Sequence, residues 1–316
     1  MQLRRLMIVL AICIVGLVVA AFGMYRSWQN FTSGGLFGIL SSHGHYMMVD
    51  GTSTTVTLDH KAERIVAVGP NVADLVSELA GDSVVATTAA PYQVTNTVKQ
   101  RVAPDVNAIV ALKPDIVIIE DGSESIELVS PLREKGIKVA LLRAPATVKD
   151  VEDQTRNVGK LLGRESKADS LISTMMNYIR DTESLRFAHR DDPKQIVAVY
   201  NENGLYGHPK TLIADMLTYV GVDNAAVKSG VKASNIGTKT DLIKANPDVI
   251  IVPMDIHAPD YNRDAIYANY YNDPVLANLK AIKNKKVAIV STDALLAKSY
   301  HIGRGVYTIA QVVYAR

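Results

Sequence analysis

Two rhythms of apolar residues alternate along this chain, and the alternation runs twice. From residue 61, continuous β-branched runs occupy 64–68, 83–87, 115–119 and 138–142, with helical spacing at 71–80, 105–112 and 126–136 between them. Unbroken apolar runs separated by helices predict parallel strands covered on both faces. Residues 147–190 carry no strand signal and read as two helices, one reaching Leu162 and a longer one from Glu165 to about Arg190. The longer one has an apolar stripe at Ala168, Leu171, Ile172, Met175, Met176, Ile179 and Leu185, and ends at Asp191-Asp192-Pro193. Strands follow at 195–199, 248–252 and 286–290, with another expected near 225–231; helical patterns cover 210–220, 240–245, 263–271 and 302–315.

The second half restates the first. NAIVALKPDIVII (107–119) is echoed by TDLIKANPDVIIV (240–252), with Pro114 and Pro247 133 positions apart. RIVAVG (64–69) and ADLVSELAGD (73–82) are answered by QIVAVY (195–200) and ADMLTYVGVD (214–223), and LREKGIKVALL (132–142) more loosely by LKAIKNKKVAIV (279–290). A repeat of this length predicts two similar α/β units rather than a solenoid. The expected fold is therefore α/β, two doubly wound parallel-sheet lobes joined by a single long helix. The first lobe is expected over 61–163, the helix over 164–192 and the second lobe over 193–316. A helix is a stiff connector and should limit how far the lobes can close.

Residues 6–24 are free of charged and strongly polar side chains and follow Arg4 and Arg5. Such a run approaches the length that spans a bilayer, and the arginines hold the N-terminus in the cytoplasm. A signal-anchor over 1–27 is expected, with a cleaved signal peptide after Val19-Ala20-Ala21 as the competing reading; both export the protein. Ile12 before Cys13 argues against lipid attachment. Residues 28–60 read as a linker, and His43 and His45 there supply too few ligands for a metal site. Cys13 is the only cysteine, which leaves the exported part without disulfides, thiolate metal sites or a cysteine nucleophile. A net charge of +2 without any basic stripe excludes a nucleic-acid partner.

The ordered set ERIVAVGPNVADLVSELAGDSVVATT (63–88), NAIVALKPDIVIIED (107–121), LREKGIKVALL and GKLLGRESKADSLI (159–172), with LIADMLTYVGVDNAA, DLIKANPDVIIV and LANLKAIKNKKVAIVS, resembles a known family. It is similar to the substrate-binding proteins of ATP-binding-cassette importers that serve ferric siderophores, haem and cobalamin (class III periplasmic binding proteins), across roughly 61–316. The resemblance implies an extracytoplasmic monomer with no intrinsic cofactor. Such a protein would carry an iron chelate, haem or cobalamin to a membrane permease and its ATPase. It also implies one docking acid per lobe. The first falls on Asp74, expected on the exposed tip of its helix; the second falls on Thr240, with Asp241 beside it either as the substitute or as a cap of its own helix.

A two-lobed glycosyltransferase-like enzyme is the alternative from another class. Gly69-Pro70-Asn71 after the first strand is not a phosphate-binding loop, and no G-x-S-x-G nucleophile motif occurs, so no enzyme is expected. Ligands of parallel sheets bind beyond the carboxyl ends of the strands. That rule selects Asn71, Tyr92, Asp121 and Arg143 in the first lobe, and Tyr206, His208, His257 and Tyr300 in the second. Ten of the fourteen tyrosines lie at or after position 200. Their rings suit a macrocycle or aromatic chelator, their phenolates suit ferric iron, and Arg143 suits a ligand carboxylate. Gly204 and Gly207 are expected to set Tyr206 and His208 on an exposed loop. Free Zn²⁺ or Mn²⁺ is the rival ligand, weakened because no histidine lies between His60 and His189.

Overall fold

The computed structural model describes residues 46–89, 100–122, 124–232 and 235–314. By contacts the chain divides into Met1–Tyr46 with Leu58–Lys61, and Met47–Thr57 with Ala62–Arg316. Both lobes lie in the second unit. The anchor over 1–27, most of the linker, His43, His45 and Tyr92 fall outside the described residues.

Strand β1 (Tyr46–Val49) pairs with β2 (Thr55–Leu58) in a hairpin for which the sequence reading, a linker over 28–60, had no strand. The first-lobe sheet is built from β3 (Ile65–Val68), β4 (Val84–Thr87), β5 (Ile116–Glu120) and β6 (Val139–Leu142) in the order β4-β3-β5-β6, every pair parallel. All residues of β3, β5 and β6 are buried, as strands covered on both faces must be. Helices α1 (Pro70–Ala80), α2 (Val106–Ala111), α3 (Val129–Glu134) and α4 (Val148–Leu162) connect and cover them. Proline suits the first turn of α1, where an N–H would have no helical partner. Helix α4 starts at a Thr147/Asp150 capping box and stops at left-handed Gly163.

Both borders of this sheet carry extra backbone contacts. Beside β6, the hairpin turn brings Gly51 N–H to the Leu141 carbonyl at 2.6 Å, while Leu141 N–H donates to the Asp50 carboxylate at 3.1 Å. Beside β4, Thr87 N–H donates to the Gln100 carbonyl and the Thr87 carbonyl accepts from Val102 N–H. Asp50 is the hub of the turn: it also accepts from Thr52 and Thr54 and pairs with Arg133.

Helix α5 (Glu165–Ala188) is the predicted connector, 24 residues long, or about 36 Å at 1.5 Å per residue. The second-lobe sheet has the order β11-β10-β7-β8, from β7 (Ile196–Asn201), β8 (Gly204–Tyr206), β10 (Val249–Met254) and β11 (Val287–Ser291), with two-residue β9 (Asp223–Asn224) parallel to β7. Strands β7, β10 and β11 are mutually parallel, and β8 turns back antiparallel on β7. The strand expected near 225–231 is corrected. It ends at Asn224, whose side chain caps helix α7 (Ala225–Ser229), so those residues follow the helix.

The remaining helices are α6 (Leu212–Val220), α8 (Lys239–Ala245), α9 (Arg263–Tyr271), α10 (Lys280–Lys283), α11 (Thr292–Leu295) and α12 (Ile302–Tyr314). Helix α12 lies against α5 and α11 at backbone distance. A Cβ on Gly303 would fall 2.5 Å from the Met175 carbonyl oxygen, and one on Gly305 would fall 1.8 Å from that of Ala294.

Candidate functional site

The carboxyl ends of the first-lobe strands meet the segment Lys298–His301, which links α11 to α12. Gly69, at φ 102°, turns the chain from β3 into α1 directly over Glu120 at the end of β5. Asn71 N–H donates to Glu120 Oε2 at 3.0 Å and the Asn71 amide donates to Oε1, so a buried carboxylate is held by the helix start above it. The other end of that amide, Asn71 Oδ1, accepts from Lys298 N–H at 2.6 Å, and Lys298 Nζ lies 3.6 Å from Glu120 Oε1. One turn along α1, Asp74 is wholly buried; its Oδ2 accepts from Ser299 Oγ at 2.7 Å and lies 3.5 Å from His301 Nε2. Asp215 of α6 supplies one further bond between the lobes, accepting Val148 N–H at 2.8 Å.

The space left here is small. Asn71, Glu120, Arg143 and Lys298 line a recess of about 10 Å³, room for about one water. A groove of about 900 Å³ lies elsewhere, among residues at the C-terminal ends of α5, α6 and α12. Polar side chains lining it serve carbonyls at the ends of α5 and α6. Arg186 donates to the Tyr219 carbonyl, Arg190 to that of Phe187 and the Tyr314 hydroxyl to that of Val220.

Two sheets built on parallel strands are thus joined by one long helix, with a chain-distant segment docked on the carboxyl strand ends of the first. A family model described as periplasmic binding protein matches residues 65–294. The chain belongs to the periplasmic binding protein family. Among curated proteins, it is 24% identical over 279 residues to the uncharacterised ABC transporter substrate-binding lipoprotein YvrC of Bacillus subtilis, spanning 84% of each chain. It is 26% identical over 260 residues to a cobalamin-binding protein of Halobacterium salinarum, spanning 77% of this chain and 67% of that one. Among solved structures, it resembles the haem-binding protein RhuT from Roseiflexus with a TM-score of 0.66 and 19% identity, covering 80% of this chain and 98% of that one. A possible iron-binding protein from Staphylococcus epidermidis gives a TM-score of 0.66 and 20% identity, covering 80% and 99%.

In this periplasmic binding protein the predicted site residues fall into separate groups. Asn71 stands at the lobe contact and is 7% exposed. Asp121 is half-buried in the turn after β5. Arg143 is exposed, and its Nε donates to the Gly51 carbonyl at 2.7 Å, so that nitrogen is already engaged in holding the hairpin turn. In the second lobe, Tyr206 donates its hydroxyl to Asn201 Oδ1 at 3.2 Å. The expected exposed loop is corrected: Gly204 begins strand β8, and Tyr206 and His208 are half-buried. His257 is largely solvent-exposed, with Nε2 3.8 Å from Asp293.

Burial changes the picture at Tyr300 and Asp74, and Asp241 is engaged in a helix cap. Tyr300 is not on an open surface; its ring lies 4.1 Å from that of His301, and burial, with Glu78 and Asp74 nearby, pushes its hydroxyl pKa up, away from the phenolate that iron would require. Asp74 is buried beneath Ser299 and His301, not on an exposed helix tip. Asp241 completes a capping box: Thr238 N–H and hydroxyl both donate to it at 2.8 Å, and these bonds hold its pKa below the usual carboxylate value. Its role in this structure is to start α8.

Glu120, Lys298 and Ser299 were not selected from sequence. Glu120 had a signal, since an acid directly ending an apolar β-run sits at a strand's carboxyl end. Lys298 and Ser299 had none, because their importance comes from a chain-distant contact. Among the described residues, no three of His, Cys, Asp and Glu gather where they could hold a metal ion.

Proposed function

We propose that this protein is the extracytoplasmic substrate-binding component of an ABC importer, capturing an iron chelate, haem or cobalamin between its lobes. The observation that carries this reading is the pair of parallel sheets on one connecting helix in a chain of the periplasmic binding protein family. The names of the B. subtilis, H. salinarum and Roseiflexus relatives support an ABC importer and a tetrapyrrole or iron ligand. No chemistry is required: the ligand bridges the lobes, biases their equilibrium, and the permease and its ATPase read the liganded form. Asp121 and Arg143 form the first-lobe wall in this reading, with Tyr206, His208 and His257 opposite. Asp241 is the second-lobe surface it assigns to the permease, and residues 6–24 are the membrane anchor.

The visible absorption spectrum of protein purified from its native host tests the proposal. A Soret band, a ferric charge-transfer band or a corrin spectrum is expected, and titration with haemin, a ferric siderophore or cobalamin should then saturate at one site per chain. Tight binding of Zn²⁺ or Mn²⁺ with none of those three would reassign the ligand to free metal. Turnover of a nucleotide sugar would reject the binder.

A further inference from the structure

We infer that Lys298–His301 is a releasable latch that holds the first lobe to the second when no ligand is bound. Four groups on consecutive or near-consecutive residues carry it. Lys298 N–H reaches Asn71, Lys298 Nζ faces Glu120, Ser299 Oγ reaches Asp74, and His301 Nε2 approaches Asp74. The three partner residues, Asn71, Asp74 and Glu120, belong to the face of the first lobe where the ends of β3 and β5 meet α1, the face a ligand would use. The latch thus occupies polar groups that a ligand must otherwise engage.

Its other side is anchored. Gly303 and Gly305 seat the start of α12 against the carbonyls of Met175 and Ala294 without room for a Cβ, so the segment is fixed to the connecting helix and second lobe. Movement between the lobes must therefore be taken up where the segment meets α1.

The contact is incompletely satisfied, which marks it as releasable rather than permanent. Among the described residues, the buried side-chain atoms without a hydrogen-bond partner are Asp74 Oδ1, Ser77 Oγ, His301 Nε2 and Thr87 Oγ1. The first three belong to the two elements that meet here. Buried polar atoms left unpaired lose their hydration without replacement, so separating the lobes returns water to them and offsets part of the cost of opening. The charged groups around the contact are Glu78 on α1, which pairs with Lys167 of α5, and Arg304 on α12, besides Glu120 and Lys298.

Distance measurement between spin labels tests the latch directly. Cys13→Ser removes the native thiol, and exposed Lys135→Cys and Lys283→Cys place one label on each lobe. Without ligand, the otherwise unsubstituted protein should give one dominant distance. Ser299→Asp sets a second carboxylate against Asp74, and a longer-distance population should grow about tenfold or more, as like charges forced together at a contact drive separation. Ser184→Asp, exposed on α5, adds the same charge elsewhere and should keep the original distance. Lys298→Glu is a second route, because that side chain is 38% exposed and its replacement would oppose Glu120. If both substituted proteins melt cooperatively yet keep the original distance, the latch is overturned. The readout uses no ligand, so this failure would leave the proposed function standing, and a wrong ligand class would leave the latch standing.

Discussion

Ser299 donates its hydroxyl hydrogen to Asp74 across 225 residues of sequence, at 2.7 Å and out of contact with water. The acceptor is a carboxylate whose second oxygen has no hydrogen-bond partner. Removing the donor should therefore cost more than removing the charge. Ser299→Ala leaves the buried carboxylate still less satisfied and should destabilise by about 1–3 kcal/mol. Asp74→Asn keeps an acceptor for Ser299 and removes a buried, incompletely satisfied carboxylate, so it should lie within about 1 kcal/mol of neutral or stabilise. Urea unfolding of the two proteins side by side checks the contrast, and equal destabilisation would contradict it.

Gly69 and Gly122 both sit at positive φ, 102° and 87°. Alanine at either strains the backbone, costing about 1 kcal/mol or somewhat more. Only at Gly69 does the new Cβ collide, 2.7 Å from Glu120 Cβ; at Gly122 nothing lies within 4 Å. Gly69→Ala should lower stability by about 1–3 kcal/mol more than Gly122→Ala. Matched denaturation midpoints would refute the close packing of that turn on Glu120.

Acid should loosen the hairpin turn. Burial alone would raise the Asp50 pKa, but its hydrogen bonds from Thr52, Leu141 and Thr54 outweigh burial and bring it below the ordinary value. A depressed folded pKa contributes stability that is complete above the unfolded pKa of about 3.9. That contribution is lost as pH falls through the lower folded value. Asp50→Asn should flatten the stability–pH curve on its acid side below about pH 4, measured by thermal melts across the acid range. An unchanged acid limb would show that Asp50 is not a source of the loss.

Asp241 separates a helix role from a docking role. Thr238→Ala and Asp241→Ala each remove half of the same capping box, and each should cost about 0.5–2 kcal/mol. The double replacement should cost less than the sum, because the two groups share their bonds. Transport assayed at equal folded protein decides the rest: normal uptake with Asp241→Ala confines the residue to capping, and reduced uptake restores it as a permease contact.

Legibility followed the range of the forces involved. Strand runs such as 115–119 and 248–252 were readable because burial on both faces demands β-branched residues without interruption, and each lies within a residue or two of the observed strand. The connector was readable from its stripe, ending at Ala188 rather than Arg190. Strand β9 was not, because two residues bordering a capped helix leave no period to detect. The site was the least legible part. Asp74 sits in a helix pattern that says nothing about which segment covers it, and its partners Ser299 and His301 come from the far end of the chain. Tyr300 looked like a loop tyrosine because sequence gives no measure of burial.

The two borders of the first-lobe sheet acquire a different meaning in a crowded solution. A bare strand edge is a template on which another molecule can add a strand and begin an aggregate. Here Gly51, Asp50 and the Arg133 guanidinium take up the backbone groups of Leu141 and Val139 on one border. The stretch Gln100–Val102 takes up those of Thr87 on the other. At Val139, Leu141 and Thr87, then, the border groups are already engaged, which shortens the stretch of edge on which another chain could add a strand.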